Sequence, residues 1–219
     1  MKKLLIIQHE FDGPPGTTLD WASQNGYAVE FWHPADEPQI PDAKAYAGVV
    51  ICGGSMDTFE VEKHPWLQTE KKFIRNLIES NMKIFGLCLG SQLIAEIMGG
   101  KVLIHEPGWE VGFVPVHTTD GETIPAFHWH HCTFTLPPGA ELIATNDFCK
   151  NQAYKIGDNI IATQFHPETT EDWIRECADE VGPHQQGIVQ NKAEMLADLH
   201  LQKTLRDWYF RQLDKLFKS

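Results

Sequence analysis

The chain has 219 residues, 42% hydrophobic and 22% charged, the composition of a globular protein with apolar residues enough for one sizeable core. Its 18 basic against 30 acidic residues leave a formal charge of −12, a field that repels phosphate backbones and excludes non-specific nucleic-acid binding. The first apolar run, Leu4 to Ile7, is too short for a signal-peptide core or a membrane span, and five cysteines without a C-x-x-C pair point to reduced thiols in a cytoplasmic protein, with neither a disulfide framework nor a structural zinc site.

Short apolar runs alternate with helical periodicity through the first half. Lys3 to Ile7 reads as a strand, Thr17 to Asn25 as a helix, Ala28 to Trp32 and Gly48 to Cys52 as strands. His64 to Asn81 reads as a helix with Pro65 near its first turn and Trp66, Phe73, Ile74, Leu77 and Ile78 close to the 3.6-residue period. Lys83 to Leu87 is a buried strand, and Ser91 to Met98 a helix closed by Gly99-Gly100. From Lys101 to Phe165 strand-like pieces are punctuated by Pro107-Gly108, Asp120-Gly121 and Pro137-Pro138-Gly139, an antiparallel extension onto a parallel sheet. Residues 186–219 carry Leu196, Leu199, Leu205, Tyr209, Leu213 and Leu216 at steps near three or four, a helical C-terminal extension of a single domain spanning 1–219. That extension could pack on its own core, pair two subunits as a homodimer, or dock a synthase.

Three sequence elements carry chemistry. Gly86-Leu87-Cys88-Leu89-Gly90 lies between a strand and a helix, where a G-x-nucleophile-x-G turn exposes its central residue and the glycines remove steric conflict. The helix dipole there favours a thiolate at Cys88, and the Leu89 N–H is placed to donate to an oxyanion. At Cys52-Gly53-Gly54-Ser55 a strand end opens into a glycine pair that backbone and substrate can approach closely, a source for a second oxyanion donor. In Gln164-Phe165-His166-Pro167-Glu168, His166 is the candidate proton carrier and Glu168 the acid that would orient its ring. His128, His130, His131 and Cys132 are zinc-type ligands too. Four neighbours on one strand cannot converge on one tetrahedral ion, however, and no distant ligand pair accompanies them, so no metal site is expected.

In their order and spacing, G-L-C-L-G-S-Q, Q-F-H-P-E and the upstream glycine pair resemble the class I (triad) glutamine amidotransferases, from about Met1 to Trp173. Within that family the chain is most similar to stand-alone proteins like the amidotransferase domain of GMP synthetase, a group that includes γ-glutamyl peptidases. The resemblance implies an α/β, flavodoxin-like three-layer sandwich with a mostly parallel central sheet and a small antiparallel extension. It further implies Cys88 as thioester-forming nucleophile, an oxyanion hole from Gly54 and Leu89, and a substrate site at Gly53, Gln92 and His130. The substrate would be glutamine or a γ-glutamyl compound, with no cofactor or metal, and released ammonia would pass to a synthase or acceptor subunit; the alternative is a partner-activated or non-catalytic binding subunit that keeps the pocket. One departure stands out. Where GMP synthetase domains carry a Ser-His-Gly-Asp-like segment, this chain has Trp129-His130-His131-Cys132, bulkier at 131 and uncharged at 132.

Overall fold

Leu4, Leu5, Ile6 and Ile7 have no exposed surface, so the first strand is covered on both faces, as its unbroken apolar run requires. The computed structural model describes residues 2–10, 13–182 and 186–218. In chain order its elements are β1 (Lys2–Ile7), α1 (Thr18–Gln24), β2 (Tyr27–Trp32), β3 (Gly48–Ile51), α2 (Trp66–Glu79), β4 (Ile84–Leu87) and α3 (Leu89–Ile97). There follow β5 (Val102–Ile104), β6 (Trp109–Thr118), β7 (Thr123–His130), β8 (Cys132–Phe134), β9 (Ala140–Thr145), β10 (Ala153–Ile156) and β11 (Ile160–Thr163). The chain ends with α4 (Glu171–Glu180), β12 (Gly187–Val189), α5 (Lys192–Ala197) and α6 (Gln202–Phe217).

Five strands pair in parallel in the order β2-β1-β3-β4-β11, the flavodoxin-like arrangement. Beyond β11 the sheet turns antiparallel through β10, β9, β6 and β7, while β5 and β8 form a separate two-stranded ribbon. Alternation along the parallel strands divides the core into two. Leu4, Ile6, Val50 and Phe85 face one way, toward Trp21 of α1 and Trp208, Tyr209 and Leu213 of α6. Leu5, Ile7, Val49, Ile51 and Ile84 face the other way, toward Leu67, Phe73 and Leu77 of α2 and Leu93 and Ile94 of α3. Helices on both faces of a mostly parallel sheet make the expected three-layer sandwich.

The C-terminal helix belongs to this core. Tyr209 meets the Thr18 hydroxyl at 2.9 Å, the Trp21 indole donates to Asp214 at 2.8 Å, and the Tyr27 hydroxyl donates to the Phe217 carbonyl at 2.9 Å. Trp208, 2% exposed, packs on Phe165, the residue before His166, with ring centroids 5.5 Å apart. Trp208→Ala is therefore expected to destabilise the fold by about 3–5 kcal/mol, read as a lowered urea midpoint at unchanged slope.

Two sequence expectations need correction. The periodicity predicts helix throughout the stretch from 186, yet Gly187–Val189 adds a parallel edge strand to β6, pairing with Trp109–Val111. Its two β-branched residues suit a strand, and Gly187, at φ 133, reaches the β6 backbone so closely that a Cβ would lie 2.0 Å from the Trp109 carbonyl oxygen. The helix expected from Ser91 begins at Leu89, directly after Cys88. Among the described residues no helix is long and apolar enough to cross a membrane.

Candidate active site

The carboxyl ends of β1, β3, β4 and β11 meet at one edge of the sheet, where open α/β folds place their ligand sites. Cys88 sits there between β4 and α3 at φ 45 and ψ −103, a conformation that L residues avoid. Its amide donates to the Thr163 carbonyl of β11 at 2.8 Å, and its carbonyl accepts from the Ser91 and Gln92 amides and the Ser91 hydroxyl. The flanking glycines are steric requirements. A Cβ on Gly90 would lie 2.4 Å from the Ile51 carbonyl oxygen, and one on Gly86 would lie 2.7 Å from Ile94 Cδ1. The turn is thus wedged between two strands and its own helix, which opens with amides that have no intrahelical acceptor, Leu89 first among them.

His166 follows β11 and points back at this turn. Its Nδ1–H donates to Glu168 Oε1 at 2.7 Å, and its amide donates to the Phe127 carbonyl at 2.7 Å. Burial alone would lower the imidazole pKa, but the Glu168 carboxylate and the Cys88 sulfur, to which the ring is hydrogen-bonded, raise it well above the usual histidine range. Trp173 closes over the ring edge-on at 5.2 Å. Glu168 is buried, and its carbonyl accepts from the Thr17 amide at 2.7 Å; Gly16 lies so close that a Cβ would stand 1.9 Å from that oxygen.

Gly53 lies against both groups: a Cβ there would be 2.9 Å from His166 Cε1 and 3.6 Å from Cys88 Cβ. Gly54, next to Met56 and Leu89, is equally short of room. What holds this loop is a buried ion pair that sequence reasoning missed. His9, at the end of β1, donates from Nδ1 to the Gly53 carbonyl at 2.9 Å and from Nε2 to Glu70 Oε1 at 2.7 Å. Both ring nitrogens face acceptors, so the ring is an imidazolium; burial opposes that charge, and Glu70 restores it, raising the pKa. Glu70 does leave a signal in the sequence: it occupies an inward position of α2 between Leu67 and Phe73, where a lone acid needs a partner.

Gln92 is buried beside Cys88, its amide donating to Gln164 Oε1 at 3.2 Å, and the Gln164 amide approaches Cys88 Sγ at 3.6 Å. His130 lines the same cavity but has both nitrogens engaged, by the Cys132 carbonyl at 3.0 Å and Glu110 Oε2 at 3.1 Å. Behind it Glu110 also accepts from Gln152 and Asn146, with His128 Nδ1 3.4 Å away, forming a polar cluster inside the antiparallel half of the sheet. The four zinc-type residues noted in the sequence divide accordingly. His128 and His130 gather with Glu110, while His131 and Cys132 gather with Asp57, the donor atoms within each trio lying within 4.8 Å of one another. The first trio is hydrogen-bonded internally, and the second borders the cavity.

The cavity holds about 230 Å³ and is lined by Gly53, Gly54, Cys88, Leu89, Gln92, His130, His166 and Glu168, so the residues singled out in the sequence stand around one space. Trp109, Trp129 and Trp173 supply apolar wall. Trp173 rides on α4, a helix missed from sequence although Thr170 caps it through the Trp173 amide and Glu171-Asp172 suit its first turn.

The model of the "Glutamine amidotransferase class-I" family matches residues 20–173. Gamma-glutamyl peptidase 4 of Arabidopsis thaliana is 33% identical over 72% of this chain and 67% of its own length. One subunit of the glutamine-hydrolysing GMP synthase of Sulfolobus acidocaldarius is 31% identical over 60% of this chain and 72% of its own. The crystal structure of a glutamine amidotransferase from Methylobacillus flagellatus superposes with a TM-score of 0.91 at 28% identity, covering all of this chain and 95% of the other. A match over most of the sequence, with the Cys88 turn and the His166–Glu168 pair facing one cavity, leads to one assignment: the chain belongs to the class-I glutamine amidotransferase family.

Proposed function

We propose that the chain hydrolyses a γ-glutamyl amide through a thioester on Cys88. The observation that carries this reading is the convergence of a strained cysteine at a helix N-terminus with a buried, carboxylate-paired imidazole. The Cys88 thiolate attacks the side-chain amide carbon, and the N–H groups of Leu89 and Gly54 take the developing oxyanion. His166, an imidazolium at neutral pH, protonates the departing amine; now neutral, it takes a proton from water, which cleaves the thioester and frees glutamate. Glu168 keeps Nδ1 protonated and Nε2 turned to the reaction throughout.

Glutamine is the first substrate of this reading, with ammonia as the leaving group. The relative named for its place in a GMP synthase supports an acceptor partner for that ammonia. A γ-glutamyl conjugate is the second, supported by the relative named a gamma-glutamyl peptidase. Glutamate release from glutamine and from a panel of γ-glutamyl peptides separates the two, with Cys88→Ala protein as blank. Release from none of them, with or without a candidate synthase, would overturn the proposal.

Glu168→Gln is expected to lower kcat roughly 10- to 1000-fold, less than loss of the nucleophile does. The carboxylate is the chief group holding the His166 pKa up, so its loss lets the imidazolium deprotonate at lower pH. The alkaline limb of the pH–rate profile should move toward neutrality, and an unmoved limb would mean that Glu168 does not set the charge of His166.

A further inference from the structure

Every γ-glutamyl group carries an α-ammonium on a short methylene stem from its reacting carbonyl, so a pocket that prefers it over a plain amide needs an anion near the nucleophile. Among the described residues five carboxylates line the cavity, those of Glu10, Asp57, Glu168, Glu176 and Glu180, and no lysine or arginine does. Glu168 is held by His166, and Glu10 accepts from both the amide and the hydroxyl of Ser55 at 2.9 and 2.8 Å. Glu176 and Glu180 are exposed on α4.

Asp57 is different. Its carboxylate is 18% exposed and meets Cys132 Sγ at 3.2 Å and His131 Nε2 at 3.3 Å. Burial and Asp57 itself push the Cys132 thiol up, so it stays a neutral, weak donor to Asp57. The loop that carries it is preset: the Asp57 amide donates to Glu60 Oε2 at 3.0 Å, and Lys71 donates to the next carbonyl, that of Thr58, at 2.7 Å. Position 132, uncharged in the sequence, therefore has an acid from the loop between β3 and α2 one hydrogen bond away.

Resting on the γ-glutamyl reading above, we infer that Asp57 is the anchor for the α-ammonium of the substrate and sets the preference for γ-glutamyl compounds over simple amides. The ammonium displaces the thiol hydrogen bond and forms a charge-assisted one on Asp57 Oδ1, with the methylene stem running toward Cys88.

The test compares the hydrolysed γ-glutamyl compound with its analogue lacking the α-amino group, glutaramate where glutamine is the substrate. Wild-type protein should favour the amino compound in kcat/KM, and Asp57→Asn should cut that preference roughly 10- to 100-fold, mainly through KM. Adding Cys132→Asp to Asp57→Asn returns a carboxylate to the same spot and should restore the preference, which a merely structural role for Asp57 would not produce. An undiminished preference in Asp57→Asn would overturn the inference. A second readout needs neither variant nor turnover: L-glutamate should protect Cys88 from iodoacetamide far better than glutarate does, and equal protection, or none from either, would overturn it. If no γ-glutamyl compound is hydrolysed but this protection is selective, the hydrolase reading falls while the anchor stands.

Discussion

Cys88→Ala should lower turnover by at least about 10⁴-fold while leaving the protein folded, because the proposed thioester route needs a sulfur at the turn before α3. Circular dichroism and a urea midpoint check the second half of that expectation. The backbone supplies a sharper control. Cys88 sits at φ 45 and ψ −103, so the native fold holds a non-glycine residue in a strained conformation because the turn is locked by the hydrogen bond from its amide to the Thr163 carbonyl and by Gly86 and Gly90. Alanine keeps that strain, whereas glycine relieves it. Cys88→Gly should therefore be as inactive as Cys88→Ala yet more stable by about 1–2 kcal/mol, a rise of roughly 2–8 °C in Tm for a chain of this size. A glycine variant no more stable than the alanine one would mean that the turn is not strained and that the geometry of Cys88 needs another cause.

The same locality explains what could be read from the sequence. The strands β1, β3 and β4 are short apolar runs between turn residues, and α2 carries a clean 3.6-residue stripe, so each announces itself within a few residues. Cys88 and His166 stand out because each is embedded in a short local pattern, Gly86 and Gly90 around the one and Pro167-Glu168 after the other. Asp57, Glu110 and the His9–Glu70 pair do not. Their meaning lies in partners 42 or more positions away for the longest links, Gln152 to Glu110, His9 to Glu70 and Cys132 to Asp57, which no window of sequence brings together. The strand β12 is hidden for a related reason: three residues cannot show a period, and the partner that makes them a strand, β6, lies far upstream.

Glu110→Gln should be among the most destabilising substitutions in the chain, costing about 3–5 kcal/mol at pH 7. Glu110 has no exposed surface and accepts from Asn146, from Gln152 at 2.7 Å and from His130 at 3.1 Å, with His128 at 3.4 Å. An amide in its place turns a donor toward groups that are themselves donors, leaving buried N–H groups unmatched. Burial would raise the Glu110 pKa, but His128, His130 and Asn146 bring it down to about 2; burial brings His128 down to about 4 despite Glu110. Both shifts have the same consequence in acid. The unfolded chain takes up a proton on His128 below its ordinary 6.5 that the folded chain refuses until about 4, so stability falls across that window by ~3 kcal/mol. The Glu110 contribution, intact above its ordinary 4.5, is lost in turn as the pH falls toward 2. Urea midpoints taken from pH 7 down to pH 4 should therefore drop steadily in the wild-type protein, starting near 6.5. In Glu110→Gln the midpoint should already be low at pH 7, and because His130 borders the cavity and loses its Glu110 acceptor, KM should rise as well. A variant with an unchanged midpoint would show that the cluster is solvated in the folded protein.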